Sequence, residues 1–136
     1  MIFQFMAEQW VLIAALATTL TMLALHESRK AGPALSISEA VQLVNSEGGV
    51  FLDIREVQDF TRGHITAALN IPAGSLANRI GELEKFREKP IVVVCKMGQS
   101  AGSATKTLRQ QGFPRAQKLA GGMVEWDAQK LPVITQ

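Results

Sequence analysis

The chain opens on an apolar run: from Trp10 to Leu25 there is no charged residue, and only Thr18, Thr19 and Thr21 are polar. As a helix this run covers about 24 Å, short of a hydrocarbon core of about 30 Å, so a membrane span has to draw in Met6, Ala7 and Phe5. Glu8 and Gln9 then fall near the headgroups beside Trp10, a residue type favoured at that interface. Residues 26–34, HESRKAGPA, are polar and carry Gly32 and Pro33, the pattern of a linker. Beyond them the pattern alternates. Leu35–Ile37 predicts a short strand, and Ser38 a cap for a helix with Ala40, Val41, Leu43 and Val44 on one face, ended by Gly48 and Gly49. Val50–Ile54 (VFLDI) reads as a buried strand, Glu56–Arg62 as a short helix closed by Gly63, and Ala68–Ile71 as a short strand stopped by Pro72. A helix is expected from Ser75 through Phe86, with Leu76, Ile80, Leu83 and Phe86 in register.

Ile91–Cys95 (IVVVC) is the strongest strand signal, because consecutive valines prefer extended backbone and an unbroken apolar run implies burial on both faces. A helix over 100–111 follows, with Ala101, Ala104 and Leu108 inward and Gly112 as its stop. Ala116–Leu119 predicts a last strand, Gly121–Gly122 a turn, and Met123–Gln129 a last helix before Pro132. Strands and helices in alternation give a mostly parallel sheet covered on both faces. Ligands of such sheets bind outside the carboxyl ends of the strands, where Cys95 lies.

With 136 residues, 47% hydrophobic and 19% charged, the chain is one ordinary domain behind an apolar segment, and disorder is excluded. Residues 1–25 contain one charge, Glu8, which leaves 14 basic against 11 acidic side chains beyond them, a net +3. The bases are scattered and Tyr is absent, so no nucleic-acid face is expected. A cleaved signal peptide is disfavoured because no Lys or Arg precedes Arg29 and no small-x-small site follows Leu25. Residues 1–25 are therefore expected to be an uncleaved single-pass anchor, the alternative being a helix packed on the domain or a partner. Arg29 and Lys30 place the C-terminal domain on the cytoplasmic side.

Cys95 is the only cysteine, and His26 and His64 are the only histidines, so neither a disulfide nor a metal site is expected. The segment CKMGQSA joins the IVVVC strand to the next helix, with Gly98 free to turn tightly. Such a loop turns amide N–H groups inward as an anion nest, to which a helix start adds partial positive charge. A thiolate is an anion, so the loop is expected to favour it over the thiol. On these residues alone two readings stand: a nucleophile, or a small buried thiol that does nothing.

Three stretches, in order and spacing, resemble the signatures of the rhodanese-like sulfurtransferases: LDIREVQDFTRGHITAALNIP (Leu52–Pro72), CKMGQSA (Cys95–Ala101) and GGMVEW (Gly121–Trp126). The resemblance covers Leu35 to Val133. It implies a three-layer α/β domain over residues 35–136, with a central five-stranded parallel sheet and helices on both faces. It also implies that Cys95 is catalytic, within a substrate cradle made by the backbone of Lys96, Met97, Gly98, Gln99 and Ser100. In the implied cycle the Cys95 thiolate takes the outer sulfur of a small anionic donor such as thiosulfate, and sulfite leaves. The persulfide then passes its sulfur to cyanide or a thiol, and no cofactor is required.

One departure bears on substrate preference. Many members carry Arg as the sixth loop residue, followed by Ser, where this chain has Ser100 and Ala101. Lys96 at the loop edge or Arg55 would have to supply that charge. Related phosphatases use a longer loop whose Arg falls here at Ala101, so phosphoryl transfer is not expected. Asp53 and Arg55 are expected to support the loop from the end of VFLDI, and His64 to be a hydrogen-bonded structural residue. Met123 and Trp126 are expected in the core. The competing function is a non-catalytic, membrane-tethered module that binds a membrane-associated protein, with Cys95 incidental. A redox-sensing thiol lacks a resolving cysteine within the chain.

Overall fold

The computed structural model describes residues 1–30 and 34–135, in two units, Met1–Lys30 and Ala31–Gln136. The first unit is a single helix, α1 (Ile2–Lys30), 29 residues and about 43 Å long. Its stretch Ile2–His26 is long and apolar enough to cross a membrane. The hydroxyls of Thr18, Thr19 and Thr21 donate to the carbonyls of Ala14, Ala15 and Ala17 at 2.8 Å, so the polar atoms of the run are satisfied within the helix. The helix continues through His26–Lys30, the first part of the stretch expected to be a linker. HESRK contains no helix breaker, and a helix once nucleated adds residues cheaply. Residues 31–33 of that stretch lie outside the described residues.

The second unit contains α2 (Ile37–Glu47), β1 (Val50–Asp53), α3 (Val57–Arg62), β2 (Leu69–Asn70), α4 (Leu76–Arg79), β3 (Ile91–Val94), α5 (Gln99–Gln110), β4 (Ala116–Lys118) and α6 (Gly122–Ala128). The strands form one parallel sheet in the order β2-β1-β3-β4. Val50, Leu52, Ile91 and Val93 face a core shared with Leu76, Leu83, Ala101, Ala104 and Leu108. Phe51, Val92 and Val94 face the opposite core with Ile37, Ala40, Met123 and Trp126. Both faces of the central strands are thus covered, as their unbroken apolar runs require. Trp126 meets Phe51 edge to face at 5.9 Å and donates its indole N–H to Pro132 O at 3.1 Å.

Three expectations need correction. Among the described residues the sheet has four strands, not five: of Leu35–Ile37 only Leu35 pairs, in a single parallel bridge with Leu119. The reason is the cap of α2, which is Ser36 rather than Ser38. Ser36 Oγ accepts the Glu39 amide at 3.2 Å and Glu39 Oε1 accepts the Ser36 amide at 3.4 Å, a reciprocal box that turns the chain into helix at Ile37. Finally, the helix expected over Ser75–Phe86 is broken into a 3-10 turn (Ala73–Ser75), α4 and a 3-10 stretch (Ile80–Phe86). Gly81 weakens an α-helix here by about 1 kcal/mol, and the tighter winding still buries Leu83 completely.

Candidate functional site

β3 ends at Val94, and Cys95 follows it, 4% exposed. Three residues later Gly98 adopts φ +94°, a left-handed conformation costly for any side chain, and caps the start of α5. This turn brings the Gly98 N–H back onto the sulfur, which it meets at 2.9 Å from Cys95 Sγ. The first amides of α5, on Gln99 and Ser100, have no acceptor within the helix and add to the positive end of its dipole. The side chains of Lys96, Met97, Gln99 and Ser100 are exposed, so what the loop offers the sulfur is backbone.

The first turn of α6 fixes the two peptides that follow Cys95. The Met123 N–H donates to Cys95 O at 2.8 Å and the Val124 N–H to Lys96 O at 2.9 Å. In a trans peptide the N–H points opposite to the C=O, so the same contacts aim the Lys96 and Met97 amides away from α6. Gly122 permits this approach: its φ is +56°, and a Cβ there would overlap Cys95 O and the Lys96 carbonyl. A Cβ on Gly98 would only reach contact with Gly121 N at 3.4 Å, so its positive φ is what favours glycine there. Reading Gly121–Gly122 only as a turn, and Met123 only as core, misses this bracing of the cysteine loop. The available signal was the Gly-Gly pair directly before a short helix.

The carboxyl end of β1 lies beside that of β3, with Asp53 in register with Val94. Asp53, 1% exposed, accepts Arg55 Nε at 3.0 and 3.1 Å and Nη2 at 2.7 Å, along with the Arg55 amide at 3.0 Å. Arg55 Nη2 also donates to Gly63 O at 2.8 Å. Asn70, which the sequence reading did not single out, donates its side-chain amide to the carbonyls of Asp53 and Arg55, both at 3.0 Å. His64 is buried, stacked on Phe60 at 3.7 Å with Nδ1 2.7 Å from Phe60 O, and its backbone pairs with Ile134. Among the described residues no hydrogen bond joins Asp53, Arg55 or His64 to residues 95–100. The structure therefore brings Cys95 together with the Lys96–Ser100 backbone, and Asp53, Arg55 and His64 into a separate corner. Among the described residues no group of three His, Cys, Asp or Glu side chains is placed to hold a metal ion.

A parallel sheet whose central strand delivers a cysteine into an amide-lined turn before a helix defines a cysteine-loop α/β domain. The family model for the rhodanese-like domain matches residues 36–129, and the chain belongs to that family. It is 33% identical over 128 residues to the uncharacterised protein YibN of Escherichia coli K12, covering 92% of this chain and 86% of YibN. It is 36% identical over 92 residues to the thiosulfate sulfurtransferase GlpE of Shewanella oneidensis, covering 68% of this chain and 89% of GlpE. Among solved structures, a rhodanese-related protein from Thermoplasma volcanium superposes with a TM-score of 0.68 at 25% identity, covering 76% of this chain and 98% of that one.

Proposed function

We propose that this protein is a membrane-anchored sulfurtransferase that carries sulfane sulfur as a persulfide on Cys95. The observation that carries the reading is the 2.9 Å contact from the Gly98 N–H to Cys95 Sγ, made inside a loop whose carbonyls are drawn off by α6. An amide nest of this kind stabilises a thiolate and, one atom further out, the terminal sulfur of a persulfide, without a side-chain charge. The Cys95 thiolate attacks the outer sulfur of a donor such as thiosulfate. The donor's S–S bond breaks, sulfite departs with its electron pair, and the new sulfur stays on Cys95. Attack on that sulfur by cyanide or a thiolate restores the Cys95 thiolate. The relation to thiosulfate sulfurtransferases supports this reaction class.

Helix α1 supplies the anchor in this reading, with Arg29 and Lys30 holding the rhodanese-like unit on the cytoplasmic face. The test is intact-mass analysis of the full chain after exposure to thiosulfate and other sulfane donors. The expected result is a gain of one sulfur, lost on adding cyanide and absent in Cys95→Ser. Folded wild-type protein that gains no sulfur from any donor rejects catalysis and leaves a tethered binding module.

A further inference from the structure

We propose that a groove beside the Cys95 loop binds the sulfur acceptor and selects an uncharged thiol, an inference that rests on Cys95 being the persulfide carrier. The groove is open to solvent and has a volume of about 350 Å³ between α5 and the segment that follows β2. One wall is the face of α5 that carries the hydroxyls of Ser100, Ser103 and Thr107 together with the methyl of Ala104. That wall starts two residues after Gly98 and runs about 10 Å away from the sulfur. The other wall, Ala73, Leu76 and Ala77, is apolar, and Ala73 is fixed there by its amide's hydrogen bond to Ile54 O at 3.0 Å.

Among the described residues no charged side chain lines this space. Thr107 spends its proton on Ser103 O at 3.2 Å and so presents lone pairs, whereas the Ser100 and Ser103 hydroxyls have no partner within the protein among the described residues. A carboxylate seated here sheds part of its hydration against the apolar wall and meets no cation in return, which is costly. A narrow neutral chain carrying amide or hydroxyl groups matches both walls. Its thiolate, emerging at Ser100, attacks the outer sulfur of the Cys95 persulfide. The bond between that sulfur and Sγ breaks, the electron pair returns to Sγ as thiolate, and the acceptor leaves as a persulfide, its thiol proton having passed to solvent.

The test uses the full chain in detergent micelles, loaded with sulfane sulfur, with discharge followed by intact mass. N-acetylcysteine amide and N-acetylcysteine serve as acceptors, each rate divided by its rate with a small-molecule persulfide in solution. The amide is expected to lead by about tenfold, and Ser103→Lys to reverse the order. Equal normalised rates, or a wild-type preference for the carboxylate, overturn the proposal. If Cys95 accepts no sulfur the parent reading fails. The groove is then read by alkylating Cys95 with two haloacetamides whose tails end in an amide or a carboxylate, where the same preference and reversal are expected and equal rates refute it.

Discussion

The carboxyl ends of β1 and β3 sit side by side and deal with their polar groups in opposite ways. At the end of β1 the Asp53 carboxylate, the Arg55 guanidinium, Gly63 O and the Asn70 amide satisfy one another, leaving a closed corner. At the end of β3 the carbonyls of Cys95 and Lys96 are taken by α6, and the Gly98 amide meets the sulfur. A closed network of this kind holds a scaffold in place. An open set of donors beside a buried thiol is poised for an anion that comes and goes. The strand end that looks richest in charge is thus tied up in its own network, and the end proposed here to be reactive offers its cysteine main-chain groups.

Breaking the closed corner should cost the most stability. Asp53→Ala strands a largely buried guanidinium and is expected to lower unfolding free energy by about 3–5 kcal/mol, measured by urea denaturation. Persulfide loading per folded molecule should persist; its loss in folded protein would show that the two corners are coupled. Gly122→Ala attacks the open corner, combining a positive φ with overlap on the Cys95 carbonyl, for about 3 kcal/mol. Here loading should fall by more than the folded fraction does. Ser36→Ala removes the cap that diverts the chain from the sheet into α2 and should cost about 1 kcal/mol with no change in loading rate.

The smallest effect lies on the surface. Hydrogen bonds from Arg87, reinforced by its charge, hold the Glu84 carboxyl below its ordinary value of 4.5. A depressed carboxyl stabilises the fold above its unfolded pKa and loses that contribution as pH falls through the folded value. Glu84→Gln should therefore shift the unfolding midpoint at roughly pH 6, and by progressively less as the pH is lowered below 4.5.

Much of the architecture was legible because it depends on short-range pattern. The runs VFLDI and IVVVC could only be strands buried on both faces, and Gly48, Gly63 and Gly98 mark where elements end or begin. The missing fifth strand was not legible, because strand propensity at Leu35–Ile37 loses to a capping box formed with Glu39, which outweighs it locally. At the site, Cys95 and its loop could be read from a cysteine at a strand exit followed by glycine. What could not be read is how the two peptides after Cys95 face, since that is decided by Met123 and Val124, about thirty residues away in sequence. Asn70 was invisible for the same reason: its side chain acts on carbonyls of a neighbouring strand.

The central claim, that loop amides hold the sulfur of Cys95, is tested most directly by following those amides while the sulfur changes. In ¹H–¹⁵N spectra of the full chain in micelles, converting Cys95 to its persulfide should move the Gly98 resonance most, with Lys96, Met97, Gln99 and Ser100 responding and the Asp53–Arg55 corner still. Amide signals of residues 96–100 that stay in place while mass spectrometry shows the sulfur bound would contradict the account.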